Sequence, residues 1–232
     1  MKRFMRRHRG GALLLSLLCA LALVASVLLI SSCSSGRQGT QMNQDREWNL
    51  ILVNADNPVP DGYTCTLTEL SNGTQVDSRI YPQLQAMFDD ARSQGLELFV
   101  ADGYRTRAEQ QQMMDERVQL YMNEGVSRRN AREIARDWVA EPGHSEHELG
   151  LAVDINANTE LCSSDEVYAW LANNAHEYGF IKRYPADKSD ITGIANEPWH
   201  YRYVGVEAAR EMYAGDLCLE EYLQLLDEEA AA

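Results

Sequence analysis

The stretch that decides both fold and chemistry is residues 142–155, PGHSEHELGLAVDI. It places two histidines and three acidic residues within fourteen positions, directly ahead of an apolar alternation. Beyond Gly150 the bulky residues recur at every second position, which is typical of a strand with one buried face. Asp154 shares its face of this strand with Ala152 only. A polar loop leading into a core strand explains part of the pattern, and half of a metal site is the sharper hypothesis.

The spacing of His147 and Asp154 sets a condition on that hypothesis. In an extended chain, seven residues separate the two side chains by roughly 23 Å. Both can bind one metal only if the chain turns between them, and Gly150 supplies a position for the turn.

A second polar stretch, NEPWHYRYVG at residues 196–205, contains the other half of such a site. Glu197 and His200 are three residues apart and would face opposite ways in a regular strand. Pro198 favours a bend between them, which would bring both side chains into one cleft.

Charge is distributed unevenly along the 232 residues. The net charge is −14, yet no acidic residue precedes Asp45, and five basic residues lie within the first nine positions. The body of the chain is therefore strongly acidic. This excludes nucleic acid and an anionic membrane surface as partners for the body, because like charges repel.

The amino terminus has the pattern of a targeting segment. A basic stretch precedes the uncharged run ALLLSLLCALALVASVLLI at residues 12–30, and ISSC follows at residues 30–33. The pattern predicts a signal or membrane anchor over residues 1–33, with Cys33 in a possible lipobox, and a flexible tether over 34–46. The domain at 47–228 would then lie on the extracytoplasmic face of a bacterial cell membrane, as a lipoprotein or an N-terminally anchored protein.

The exported part alternates short strands with capped helices, which predicts one α+β domain with a small, mostly antiparallel sheet flanked by helices. Thr106 and Glu109 form a capping box at a helix start, as do Ser163 and Glu166. Strands are predicted within residues 49–54, 63–70, 96–105 and 197–205, and helices over about 80–94, 106–124, 127–139 and 163–178, with two short helices after residue 205.

Three cysteines fall in the exported domain, where a disulfide can persist. An odd number allows one bridge, and Cys162–Cys218 is the favoured pair because each cysteine precedes a predicted helix. Cys65 would then remain a free thiol.

Two separated signatures bring a family resemblance. SEHELGLAVD matches the pattern S-x-H-x-x-G-x-A-x-D, and EPWH matches E-x-x-H. The chain resembles the VanY-type zinc D-alanyl-D-alanine carboxypeptidases, which share a Hedgehog/DD-peptidase-like fold with the VanX-type dipeptidases. The resemblance extends over about residues 79–204 and includes GYRT at 103–106.

The resemblance implies a site residue by residue. One Zn²⁺ ion would be bound by His147, Asp154 and His200, with Glu197 as the general base. Arg105 would hold the substrate and the charge that develops on the scissile carbonyl. Gln110 and Ser145 would contact the peptide, whereas the neighbouring polar residues are interpreted as bystanders: His144, Glu146 and Glu148.

The activity implied is metal-assisted removal of the terminal D-alanine from peptidoglycan stem peptides that end in D-Ala-D-Ala, by a monomeric enzyme. Asp102 departs from the serine usual at its position in VanY-type sequences, and DGYR is the form found in the dipeptidases. A dipeptidase or a peptidoglycan endopeptidase with the same zinc chemistry therefore stays an alternative. A non-catalytic, Hedgehog-like zinc-binding module is a further one, although it would have no need for Glu197.

Overall fold

A four-stranded antiparallel sheet organises the protein, whose computed structural model describes residues 46–232. The strands β3 (Leu98–Asp102), β4 (Ala152–Ala157), β5 (Phe180–Lys182) and β6 (His200–Tyr203) lie in the order β3-β4-β6-β5. A separate hairpin pairs β1 (Leu67–Glu69) with β2 (Gln75–Asp77). The predicted α+β class and small antiparallel sheet are confirmed.

Helices flank this sheet. Their bounds are α1 (Tyr81–Ser93), α2 (Arg107–Asn123), α3 (Arg128–Ala135), α4 (Ser164–Asn174), α5 (Ser189–Thr192), α6 (Val206–Gly215) and α7 (Leu219–Ala230). Both predicted capping boxes are present, at Thr106 and at Ser163. Within residues 46–232 no helix is long and apolar enough to cross a bilayer.

The main core lies on one face of the sheet. Val153 and Ile155 of β4 are fully buried there, against Leu84 of α1 and Leu171 of α4. Because side chains alternate along a strand, Asp154 points to the opposite face. The sheet therefore buries its apolar side and leaves its other side free to carry polar groups.

One predicted strand is absent. Residues 49–54 form no ladder, although Ile51 and Val53 are buried in the core as their pattern indicates. The buried guanidinium of Arg202 donates to the carbonyl oxygens of Asn49, at 3.1 Å, and Ile51, at 2.9 Å. A side chain takes the place of a partner strand, so a period-2 pattern arises here without a sheet. Two other elements are shorter than predicted, since β1 occupies only the end of 63–70 and α3 ends at Ala135.

The predicted disulfide is wrong. Cys65, Cys162 and Cys218 are all free thiols. Cys162 Sγ donates to the carbonyl of Glu97 at 3.3 Å, and Cys218 is buried where α7 begins. Cys162 and Cys218 thus contact different parts of the structure and are not bonded to each other. The segments predicted over residues 1–33 and most of the predicted tether lie outside the described residues, and the domain bounds 47–228 stay a prediction.

Candidate active site

His147 is carried by a short 3-10 helix, Glu146–Leu149, that begins and ends sharply. Ser145 caps its start, and Gly150 ends it with φ of 71°, a left-handed conformation that glycine adopts without strain. The chain then reverses into β4. This is the turn that the spacing of His147 and Asp154 requires.

The orientation of the His147 ring is fixed by the backbone. Its Nδ1 lies 2.6 Å from the carbonyl oxygen of Gly103, so Nδ1–H donates and the lone pair of Nε2 is left available. A side chain at Gly103 would collide with the carbonyl of Gln75. Glycine therefore permits the close approach that brings this carbonyl to the histidine.

Asp154 and His200 are direct partners in the β4–β6 ladder. Asp154 Oδ1 lies 3.0 Å from His200 Nδ1 and 3.5 Å from His147 Nε2. Burial opposes the ionised form of Asp154, but the two histidines outweigh it and hold the pKa of that carboxyl far below its usual range. The sheet register and the turn at Gly150 thus bring the three side chains together.

These three side chains fit a zinc ion. One donor atom from each lies within 4.8 Å of the others. Donors in a tetrahedral zinc site are about 3.4 Å apart, given metal–ligand distances near 2.0–2.2 Å. His147 Nε2 is buried and has no hydrogen-bond partner among the described residues. Two imidazoles and one carboxylate leave a fourth position open, as in hydrolytic zinc sites.

Glu197 lies beside this cluster, in the turn before β6. Its Oε2 is 3.7 Å from His200 Nδ1, and its side chain is 10% exposed. Burial raises the pKa of Glu197 to about 7, and Asp154 adds to this although His200 and Arg105 act in the opposite direction. A carboxyl group with a near-neutral pKa can both accept and release a proton.

Arg105 lines the same cleft and is held by its neighbours. Its Nη1 donates to Gln110 Oε1 at 2.6 Å, and its Nε lies 3.3 Å from Asp102 Oδ2. Its backbone N–H donates to the carbonyl of His147. No hydrogen bond joins its Nη2 to the described residues, so this end of the guanidinium is free to meet a ligand.

Gln110 and Ser145 also border the cleft, each in a buried position. Gln110 uses both ends of its amide, since it accepts from Arg105 and donates to the carbonyl of Ala140 at 2.7 Å. Ser145 Oγ accepts weakly from the backbone N–H of His147, at 3.4 Å. In this arrangement Gln110 supports Arg105, and the predicted peptide contacts of Gln110 and Ser145 stay predictions.

The residues interpreted as bystanders, His144, Glu146 and Glu148, lie outside the donor set of the metal site, but each makes contacts of its own. Glu146 is fully buried and forms ion pairs with Arg183, at 2.8 Å, and Arg202, at 3.1 Å. Glu148 accepts from the backbone N–H of Gly143. His144 lies with its Nδ1 2.8 Å from the carbonyl of Asn54. The S-x-H pattern leaves the middle position unspecified, so it could not reveal Glu146, whose arginine partners come from β6 and from the residue after β5.

Arg117 is a further polar residue of the cleft that sequence reasoning missed. It extends from α2, is half-buried, and lines the same cavity of about 150 Å³ as Glu197 and Arg105. Within residues 46–232 it forms no hydrogen bond or ion pair. The charged residues around it on α2 have the pattern of a solvated helix face, so no sequence signal distinguishes Arg117 as a residue of the cleft.

Comparison with known proteins agrees with this geometry. A family model described as VanY, D-alanyl-D-alanine carboxypeptidase, matches residues 73–206. A D-alanyl-D-alanine carboxypeptidase of Enterococcus faecalis is 54% identical over 183 residues, which cover 79% of this chain and 68% of the relative.

Solved structures extend the comparison. A mutant of the vancomycin-resistance D,D-pentapeptidase VanY, in complex with Zn(II), is 55% identical with a TM-score of 0.75, over 76% of this chain and 99% of that one. VanYB in complex with D-alanine-D-alanine is also 55% identical with a TM-score of 0.75, over 77% and 98% of the two chains. The chain belongs to the VanY family of D-alanyl-D-alanine carboxypeptidases.

Proposed function

We propose that the protein is a zinc-dependent D-alanyl-D-alanine carboxypeptidase that removes the terminal D-alanine from peptidoglycan stem peptides. The observation that carries this proposal is the convergence of His147, Asp154, His200 and Glu197 in one cleft. Family membership supports it, because a similar VanY structure contains Zn(II) and another contains D-alanine-D-alanine.

A single zinc ion would be bound by His147 Nε2, Asp154 Oδ1 and His200 Nδ1. Zinc supplies Lewis-acid chemistry to the scissile carbonyl and to the attacking water. Glu197 is the group within reach to accept the proton of that water and to pass it to the departing amine of D-alanine. A non-catalytic zinc module would have no use for a buried carboxylate directly beside the metal ligands.

Arg105 would stabilise the negative charge that develops on the scissile carbonyl oxygen. Gln110 and Asp102 hold its guanidinium in place. A donor that is fixed before the reaction lowers the barrier without further reorganisation. We assign Asp102 this supporting role, which does not depend on the length of the substrate.

The cleavage of a terminal residue, as opposed to an internal bond, requires recognition of the free α-carboxylate. Arg117 is suited to this role, because it is a guanidinium in the cleft that makes no hydrogen bond or ion pair with the described residues. Arginine binds carboxylates through two parallel hydrogen bonds. Arg117 therefore favours a carboxypeptidase over an endopeptidase.

The amino-terminal sequence supports an extracytoplasmic location, where peptidoglycan is found. We propose that residues 1–33 act as a lipoprotein signal or an apolar anchor helix at the bacterial cell membrane, that 34–46 form a tether, and that 47–228 form a monomeric catalytic domain.

The product distinguishes the proposed reaction from its alternatives. Purified zinc-loaded protein is incubated with a UDP-linked muramyl pentapeptide, and the released fragment is identified by mass spectrometry. Free D-alanine with a tetrapeptide product supports the carboxypeptidase. Release of D-Ala-D-Ala as a unit would instead assign a different cleavage site.

A further inference from the structure

Behind His200 lies a fully buried group of charges that the proposed reaction does not use. Glu146 sits between Arg183 and Arg202, and Arg183 continues to Glu220 of α7, with distances of 2.8 and 2.6 Å to its two oxygens. The side chains of Glu146, Arg183 and Arg202 are all 0% exposed. Buried charges are costly, so an arrangement of this kind calls for an explanation.

The contact that Glu146 makes on the side of the metal site explains why these charges are buried there. Its Oε1 contacts both arginines, whereas its Oε2 lies 3.6 Å from His200 Nε2. Neither of these two facing atoms has a hydrogen-bond partner among the described residues. They are aimed at each other at slightly more than hydrogen-bond distance.

The other nitrogen of the same ring, Nδ1, faces Asp154 Oδ1 at 3.0 Å. An imidazole offers a lone pair at Nδ1 only when Nε2 carries the hydrogen. A carboxylate behind Nε2 stabilises that tautomer, fixes the plane of the ring and increases the basicity of the metal-binding nitrogen.

We propose that Glu146 is a positioning residue for the zinc site, which holds His200 through Nε2–H so that Nδ1 is presented to the metal. Arg183 and Arg202 keep Glu146 ionised and immobile in this role. Glu220 of α7 pairs with the far side of Arg183, away from the contact between Glu146 and His200. This inference rests on the proposed zinc chemistry, but its test does not depend on substrate.

The test compares the zinc affinity of apoprotein variants, measured by competition with a chromogenic chelator. Glu146→Gln removes the charge behind His200 and is expected to weaken zinc binding by about 10- to 100-fold. Glu220→Gln is the matched control, because it removes a carboxylate from the same Arg183 without altering the contact with His200. It should lower thermal stability and keep the zinc affinity of the wild type.

A second variant covers the case in which Glu146→Gln does not fold. Glu146→Asp keeps the negative charge between the arginines but shortens the reach towards His200 by one methylene group. It should fold and still bind zinc more weakly than Glu220→Gln does. The cobalt-substituted protein provides a second readout, since its visible absorption should change in Glu146→Asp and not in Glu220→Gln.

Wild-type zinc affinity in a folded Glu146 variant would overturn the inference, as would an equal loss of affinity in Glu220→Gln. The proposed function fails separately: a wild type that binds zinc and releases no D-alanine would overturn the carboxypeptidase assignment, while the affinities of the Glu146 variants would still decide the positioning role.

Discussion

Asp154 and His200 lie directly opposite each other on β4 and β6, with Oδ1 of the first 3.0 Å from Nδ1 of the second. The two halves of the candidate zinc site are thus joined by the register of one strand pair. A slip of one residue would move Asp154 to the apolar face of the sheet. The same register that buries Val153 and Ile155 therefore assembles the metal ligands.

The turn at Gly150 sets the position of His147 relative to this pair. Gly150→Ala should destabilise the fold by about 1–2 kcal/mol, because an L-residue is strained at positive φ. It should also weaken zinc binding, since the new Cβ would lie 3.1 Å from the backbone nitrogen of Asp77 and shift the turn. Chemical denaturation and a zinc titration measure the two effects.

Gly125→Ala provides the matched control. Gly125 also has a positive φ, of 91°, but a Cβ there would meet nothing within 4 Å. It should lower the free energy of unfolding and leave zinc affinity unchanged. Equal zinc affinity in the two variants would contradict the role given to the turn.

Arg202 replaces a partner strand for residues 49–54 and also neutralises Glu146. Arg202→Met should lower the free energy of unfolding by about 3–5 kcal/mol, because it leaves a buried carboxylate short of a partner and two backbone carbonyls without a donor. Arg210→Met, which breaks the exposed pair with Glu177, should change it little. The free energies of unfolding are measured by urea denaturation. A loss in Arg202→Met as small as that in Arg210→Met would show that the buried arginine is not structurally important.

Arg105 is expected to act through its fixed guanidinium and not through charge alone. Arg105→Lys should lower kcat by about 10²–10³-fold, the usual cost of losing one preorganised donor to the developing oxyanion. The exposed substitution Arg129→Lys should have no effect. Steady-state kinetics on a D-Ala-D-Ala peptide decide the point, and a lysine variant with wild-type kcat would contradict it.

Arg117 is predicted to recognise the terminal carboxylate. Arg117→Ala should lower kcat/KM for the free peptide acid by about 10- to 100-fold, as expected for the loss of a charged hydrogen bond. The C-terminal amide of the same peptide should be a poor substrate for the wild type and should be unaffected by the substitution. Arg128→Ala on the exposed face of α3 is the control, and a loss that is equal for acid and amide would refute this role.

The sequence was informative where secondary structure depends on residues that are close together in the chain. The alternation after Gly150 predicted β4 and its two faces, and the capping residues predicted the starts of α2 and α4, since both depend on neighbours in the chain. The strand predicted at residues 49–54 is absent because its formation depends on residues that are distant in the chain. The apolar alternation of residues 49–54 reflects burial, but whether a strand or the side chain of Arg202 satisfies the backbone depends on distant residues.

The same distinction applies to the site. The spacing of His147 and Asp154, and that of Glu197 and His200, indicated two halves of a cleft, and the structure brings these four residues together. The supporting residues were not visible in the pattern. Glu146 looked like one more acidic loop residue, because its arginine partners lie about forty to sixty positions further along the chain. The disulfide prediction was wrong for the same reason, because the positions of two cysteines along the chain do not reveal the distance between their thiols in the fold.

The most direct test of the central claim is D-alanine release from a UDP-linked muramyl pentapeptide by zinc-loaded protein, chelated protein and Glu197→Gln. We predict that chelation abolishes release and added zinc restores it. Glu197→Gln should lower kcat by about 10²–10⁴-fold while zinc remains bound, since only the general base is lost. Glu160→Gln, at an exposed position, should behave as the wild type. Release that persists without metal, or at full rate in Glu197→Gln, would contradict the account.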